Sequence, residues 1–197
     1  MKTPDILTAI GPLIEAFDQL GIHYYIGGSV AGSTYGIARA TLDVDMVSDI
    51  KQEHVESLVQ KLKQEYYVSG NMIFEAINHY SSFNIIHLET MFKVDIFILK
   101  EAPYHQKSFK RRKKEFLDKE SNAAEFYIGS AEDIILHKLD WYRSTGYSSE
   151  RQWKDVLGII KVQTRSLDFE YLKHWASELG LLELINKVFK EADISLE

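Results

Sequence analysis

The chain has 197 residues, 45% of them hydrophobic and 26% charged, with a formal net charge of −6 and no cysteine. That is enough chain for one sizeable core and a small appended lobe. It holds no apolar run long enough to span a bilayer and no signal-peptide core at the N-terminus. Disulfides and thiolate metal sites are excluded, which fits a cytoplasmic location, and the acidic balance argues against a broad nucleic-acid-coating surface.

Thr3-Pro4 supplies a cap and a first-turn proline, and Ile6, Ile10, Leu13, Ile14 and Phe17 then recur at helical spacing. Gly11-Pro12 predicts a kink or break in that helix, and Gly21 its end. Tyr24-Tyr25-Ile26 is a short strand running into Gly27-Gly28, where the backbone can turn sharply with no Cβ in the way. Ser29 is placed to cap a short helix, so its hydroxyl and free backbone N–H groups would converge where a phosphate can sit. Leu42-Asp43-Val44-Asp45-Met46-Val47 alternates apolar and acidic residues, the pattern of a strand. A period of two puts Asp43 and Asp45 on one face, about 6.6 Å apart between Cα atoms. Such a pair is either a cation site or an exposed acidic edge.

Downstream, Val55, Leu58, Val59, Leu62 and Tyr66 predict a helix over about 50–67. Strands are then predicted around 72–77, 83–88 and 91–99, the last two joined as a hairpin near Glu89-Thr90. The connections are too short for repeated helical crossovers, so the sheet is expected to be mixed and mostly antiparallel rather than doubly wound. Asp95 sits alone in the apolar run Phe92–Leu99, where a carboxylate must be paired, metal-bound or turned to solvent.

Lys107, Lys110, Arg111, Arg112, Lys113, Lys114 and Lys119 form a basic run, read either as a solvated helix face or as a phosphate-contacting patch for RNA. A further strand is expected over 124–128. Ser130-Ala131-Glu132-Asp133 opens a helix whose broad apolar face contains Lys138, able to snorkel outward or to reach a bound nucleotide. Three more amphipathic helices follow, so residues 1–129 read as a core domain and 130–197 as a small C-terminal helical lobe packed on it. The closing Leu196-Glu197 is given no weight.

The combination of Gly27-Gly28-Ser29, Gly36, Arg39, Thr41, Asp43 and Asp45 resembles the signature of the DNA polymerase β-like nucleotidyltransferase superfamily, and within it the AbiEii-type toxins and related small bacterial nucleotidyltransferases. The resemblance is strongest over 22–47 and traceable to about residue 160. It implies an α+β nucleotidyltransferase fold, a sheet flanked by helices, that moves a nucleoside monophosphate from an NTP to a hydroxyl acceptor. The acceptor would be an RNA or tRNA end, a protein or a small molecule. It also implies two Mg²⁺ (or Mn²⁺) ions on Asp43, Asp45 and Asp95, with Asp95 as the third carboxylate and acceptor of the hydroxyl proton. Gly27, Gly28, Ser29, Arg39, Thr41 and Lys138 would hold the nucleotide. Arg151, Lys154 and Asp155 match an Arg-x-x-Lys-Asp motif of those relatives, although Arg151 and Asp155 at i,i+4 equally suit a surface pair. A toxin of this kind would have an antitoxin partner.

Other chemistries lack essential residues. Gly27-x-x-x-x-Gly32-Ser33-Thr34 has P-loop spacing without the lysine, no Gly-x-Gly-x-x-Gly is present, and the 7 histidines show no zinc-ligand spacing. The remaining rival is a non-catalytic nucleotide- or partner-binding module that kept the fold.

Overall fold

The computed structural model describes residues 3–116 and 125–194, with the side chains of 3–5 and 116 left aside. Lys119 of the basic run, Ala124 at the head of the last expected strand, and Leu196-Glu197 lie outside the described residues. The chain forms two compact units, Met1–Val30 with Ala40–Gly129, and Ala31–Arg39 with Ser130–Glu197.

The first unit is built on a mixed sheet. In chain order its elements are α1 (Thr3–Leu20), β1 (Tyr24–Ile26), the start of α2 (Gly28–Tyr35), β2 (Asp43–Ser48), α3 (Val55–Leu62), β3 (Tyr66–Tyr67), α4 (Gly70–Asn78), β4 (Ser82–His87), β5 (Lys93–Ile98), α5 (Pro103–Lys110), β6 (Lys113–Phe116) and β7 (Glu125–Ile128). The strand order is β3-β4-β5-β2-β1-β7-β6. The pairs β2–β5 and β1–β7 are parallel, and the other four are antiparallel. This is the mixed, mostly antiparallel α+β architecture expected.

One face of the sheet is dry. Val44 and Met46 of β2, Val94 and Ile96 of β5, and Phe83 and Ile85 of β4 are buried in one cluster with Leu13 and Phe17 of α1, Leu58 and Leu62 of α3, and Ile73 of α4. Each of those strands alternates buried and half-exposed positions, so strict alternation sends the intervening polar residues to the opposite face.

Four local expectations change. Residues 72–77 are helical, inside α4: burial of Ile73 and Ala76 with exposure of Met72 and Phe74 follows a three-residue period, and the Ser69 hydroxyl accepts from the Met72 N–H as an N-cap. The helix expected over 50–67 ends at Leu62, and Tyr66 enters the edge strand β3, where its hydroxyl donates to the carbonyl of Ala9 at 2.8 Å. Helix α1 runs undivided through Pro12. Its continuous buried face from Ile6 to Phe17 outweighs the one backbone hydrogen bond that proline forfeits. The basic run is divided between α5 and β6 instead of lying on one helix.

The second unit consists of the remainder of α2 with α6 (Ala131–Ser144), α7 (Glu150–Gln163), α8 (Phe169–Glu178) and α9 (Leu182–Glu191). Ser130 caps α6 by accepting from the Asp133 N–H, and Asp168 caps α8 by accepting from the Tyr171 N–H. Ile134, Ile135 and Leu139 of α6, Val156, Ile159 and Ile160 of α7, Leu172 of α8, and Ile185 and Val188 of α9 are buried. Helix α6 packs on α7 and α8, and α9 packs on α7 and α8.

Candidate active site

Asp43, Asp45 and Asp95 share the half-exposed face of the sheet. Asp43 and Asp45 alternate with buried Val44 and Met46 on β2, and Asp95 lies between buried Val94 and Ile96 on β5. The parallel register sets Asp45 directly beside Asp95 and Asp43 beside Lys93. Neighbouring strands lie about 4.8 Å apart, so one carboxylate from each strand faces the same small patch. Asp95 thus reaches this face from a strand fifty positions away in sequence from Asp45.

Each carboxylate already has a local partner. Thr41, itself buried, donates its hydroxyl to Asp43 Oδ1 at 2.7 Å. Asp95 Oδ2 is 2.6 Å from the ammonium of Lys93. Asp45 lies against the glycine turn: a Cβ placed on Gly28 would fall 1.7 Å from Asp45 Oδ2. Gly28 also has φ +53°, a conformation that L side chains resist. The turn is further tied down by the Gly27 N–H, which donates to the Asp45 carbonyl at 2.8 Å. Gly28 is therefore required for two reasons at once, and one of them is room for Asp45 itself. Helix α2 begins at Gly28, so Ser29 stands inside its first turn rather than at the cap, and it is buried.

Sequence reasoning missed two polar members of this face. Lys93 lies two residues before Asp95, so the strand period that grouped Asp43 with Asp45 also groups Lys93 with Asp95. Its ammonium is held above the ordinary lysine value, first by the hydrogen bond to Asp95; burial opposes this, and the fields of Asp95, Asp43 and Asp45 add to it. Asn84 on β4 is the antiparallel partner of Asp95, which extends the row Asn84–Asp95–Asp45 across three strands.

Three acidic side chains offer only hard oxygen donors, the set that suits Mg²⁺ or Mn²⁺. Among the described residues, no three such side chains are placed so as to hold a metal ion as they stand. The donor chemistry fits a divalent ion, while Asp43 and Asp95 are engaged here by Thr41 and Lys93.

The other predicted site residues belong to the second unit. Lys138 is 4% exposed and does not snorkel: its ammonium is 2.8 Å from Asp155 Oδ2 and 3.0 Å from Gln152 Oε1. Arg39 grips the same carboxylate with two nitrogens, each at 3.3 Å. Asp155 is thus shared by two cations instead of forming a simple pair with Arg151, which is exposed on α7. Lys154 pairs along its own helix with Glu150 at 3.3 Å. Gly32 makes space for this network, since a Cβ there would meet the Lys138 side chain at 3.0 Å.

In the basic run, the Arg112 guanidinium lies over the rings of Phe109 and Tyr127, at 4.6 and 5.0 Å. Lys114 pairs with Glu125 at 2.8 Å. Those two charges are engaged within the first unit. No helix among the described residues is long and apolar enough to cross a membrane.

No family model matches this chain, and no curated protein does. Solved structures that resemble it include two matched over nearly the whole length of both chains. An antigenic nucleotidyltransferase-like protein from Paracoccidioides brasiliensis is 18% identical, with 93% of this chain and 91% of that one covered at a TM-score of 0.54. The antibiotic-resistance factor ANT(2'')-Ia, described as having substrate-regulated conformational dynamics, is 17% identical, with 94% and 97% covered at a TM-score of 0.53. Likeness at this identity establishes the fold, and it is the nucleotidyltransferase fold.

Proposed function

We propose that this chain is a divalent-metal-dependent nucleotidyltransferase that passes a nucleoside monophosphate from an NTP to a hydroxyl acceptor. The observation that carries the reading is the register of β2 and β5, which gathers Asp43, Asp45 and Asp95 on one face beside the Gly27-Gly28 turn. Divalent ions held by these three carboxylates would neutralise charge on the phosphates and on the attacking and leaving oxygens. The chain's own groups have three tasks. The N–H groups at the start of α2, with the Ser29 hydroxyl, bind phosphate oxygens. Thr41 fixes the Asp43 rotamer through its 2.7 Å hydrogen bond. Asp95 accepts the proton of the attacking hydroxyl.

In the transfer itself, the acceptor oxygen forms a bond to the α-phosphorus. The bond from that phosphorus to the bridging oxygen breaks, and pyrophosphate leaves with the electron pair. Little covalent work falls to the protein, which positions and stabilises charge.

Two acceptors come first for trial. Likeness in fold to an antibiotic-resistance factor favours a small molecule. The AbiEii-type resemblance over 22–47 favours an RNA end and a toxin role with an antitoxin partner. The test is release of pyrophosphate from labelled NTPs with Mg²⁺, total RNA and a panel of hydroxylated small molecules. Asp43→Asn is expected to abolish metal-dependent turnover while its circular dichroism stays unchanged, and full turnover by that variant would refute the assignment. Heat of NTP binding without pyrophosphate release under any condition would mark a binding module that kept the fold.

A further inference from the structure

Lys93 has no part in the reaction as described, yet it occupies the acidic face. Its register partner is Asp43, its ion-pair partner is Asp95 at 2.6 Å, and the fields of Asp43 and Asp45 also reach its ammonium. Folding does not call for a lysine here. The position is half exposed, and any polar residue would suit that side of the pleat. The electrostatics of the face do call for a cation. Two carboxylates two residues apart on one strand, with a third on the adjacent strand, repel one another unless positive charge lies among them. One ammonium against three carboxylates answers part of that repulsion and leaves a net of two negative charges.

From this arrangement we infer that Lys93 is a tethered counter-cation that occupies the carboxylate face, and that a divalent ion must displace it from Asp95 in order to bind. The inference rests on the proposed function in that it takes these carboxylates as the metal ligands. The exchange is physically easy. The Lys93 side chain is 45% exposed and that of Asp95 22% exposed, so the ammonium can swing on its four-carbon stem into water. The face then never carries three uncompensated negative charges, and the resident charge competes with every incoming ion. Lys93 accordingly lowers metal affinity and stabilises the metal-free protein, opposite in sign to a lysine that serves as a ligand-binding group.

The experiment measures Mn²⁺ binding to the nucleotide-free protein by electron paramagnetic resonance of the free ion, with thermal unfolding as a second readout. Lys93→Met should bind Mn²⁺ about five- to tenfold more tightly than the native chain, the scale of losing one half-exposed ion pair and one cation–cation repulsion in high dielectric. Lys93→Gln should behave likewise, and Lys93→Arg, which keeps the charge, should not tighten. Asp95→Asn should bind more weakly. Without metal, Lys93→Met should melt below the native protein, and its gain in melting temperature on adding Mn²⁺ should be the larger. Unchanged or weaker Mn²⁺ binding in both Lys93→Met and Lys93→Gln, with Asp95→Asn still weakened, overturns the role of Lys93 and leaves the metal reading standing. Absence of Mn²⁺ binding in every variant overturns both.

Discussion

Gly28→Ala tests the junction between the phosphate-binding turn and the acidic strand. The new methyl would lie 1.7 Å from Asp45 Oδ2, 2.6 Å from its Cγ and 2.8 Å from its Cβ, all far inside contact distance. The backbone there has φ +53°, so alanine also takes on the left-handed cost of about 1–2 kcal/mol. Forcing the carboxylate aside adds about 1–3 kcal/mol, the usual scale of overpacking. The expected loss is therefore roughly 2–5 kcal/mol, or roughly 5–15 °C in melting temperature for a chain of this size. Gly21→Ala is the internal control. Gly21 has φ +67° and a methyl added there meets nothing within 4 Å, so it carries the backbone cost alone. Urea unfolding of both variants isolates the contact with Asp45 as the difference between them. The combination with Asp45→Ala should recover part of that difference, because the two nearest clashing atoms are then gone. If Gly28→Ala is no less stable than Gly21→Ala, the packing of Asp45 on the turn is refuted.

The Asp155 network makes a second prediction. Asp155→Asn leaves Lys138 and Arg39 without their shared carboxylate and should cost about 2–3 kcal/mol, below the fully buried range because the Arg39 and Asp155 side chains are 26% and 15% exposed. Lys138→Met keeps the Arg39–Asp155 pair and should cost less than about 1 kcal/mol, an ordering that denaturant titration reads directly. A third prediction concerns alkaline pH. Burial raises the Tyr66 and Tyr24 hydroxyls well above the ordinary tyrosine value of 10.0. Both stay protonated in the folded chain while the unfolded chain ionises, so their contribution is complete below about pH 10 and falls as pH rises beyond it. Tyr66→Phe should reduce the proton release on unfolding above about pH 10 by close to one and, through loss of the 2.8 Å bond to Ala9, cost about 1 kcal/mol at neutral pH. An unchanged alkaline slope would contradict the buried state of that hydroxyl.

Asp43 and Asp45 could be assigned to one face from the sequence, because the strand period is a local property of two residues. The same period covers Lys93 and Asp95, two positions apart, but a lysine in a strand carries no metal-ligand signal that would single it out. The strand expected at 72–77 failed for the converse reason: Met72, Ile73, Phe74 and Ile77 form a short apolar run that suits either period, and the Ser69 cap with burial against the sheet decided for helix. Lys138 sits on the apolar stripe of α6 as its spacing implied, but only the fold revealed that Asp155, 17 residues on, receives its charge.

Local chemistry along the chain was therefore enough to determine that a glycine turn precedes a strand bearing two acids on one face, and that a third acid lies in a later apolar strand. Tertiary structure alone decided that β2 and β5 run parallel with Asp45 beside Asp95, that Asp45 fills the space which makes Gly28 obligatory, and that Lys93 lies among the acids. Periodicity depends on neighbours within a few residues. Register and ion pairing depend on which distant strand comes to lie alongside, and the whole core settles that choice.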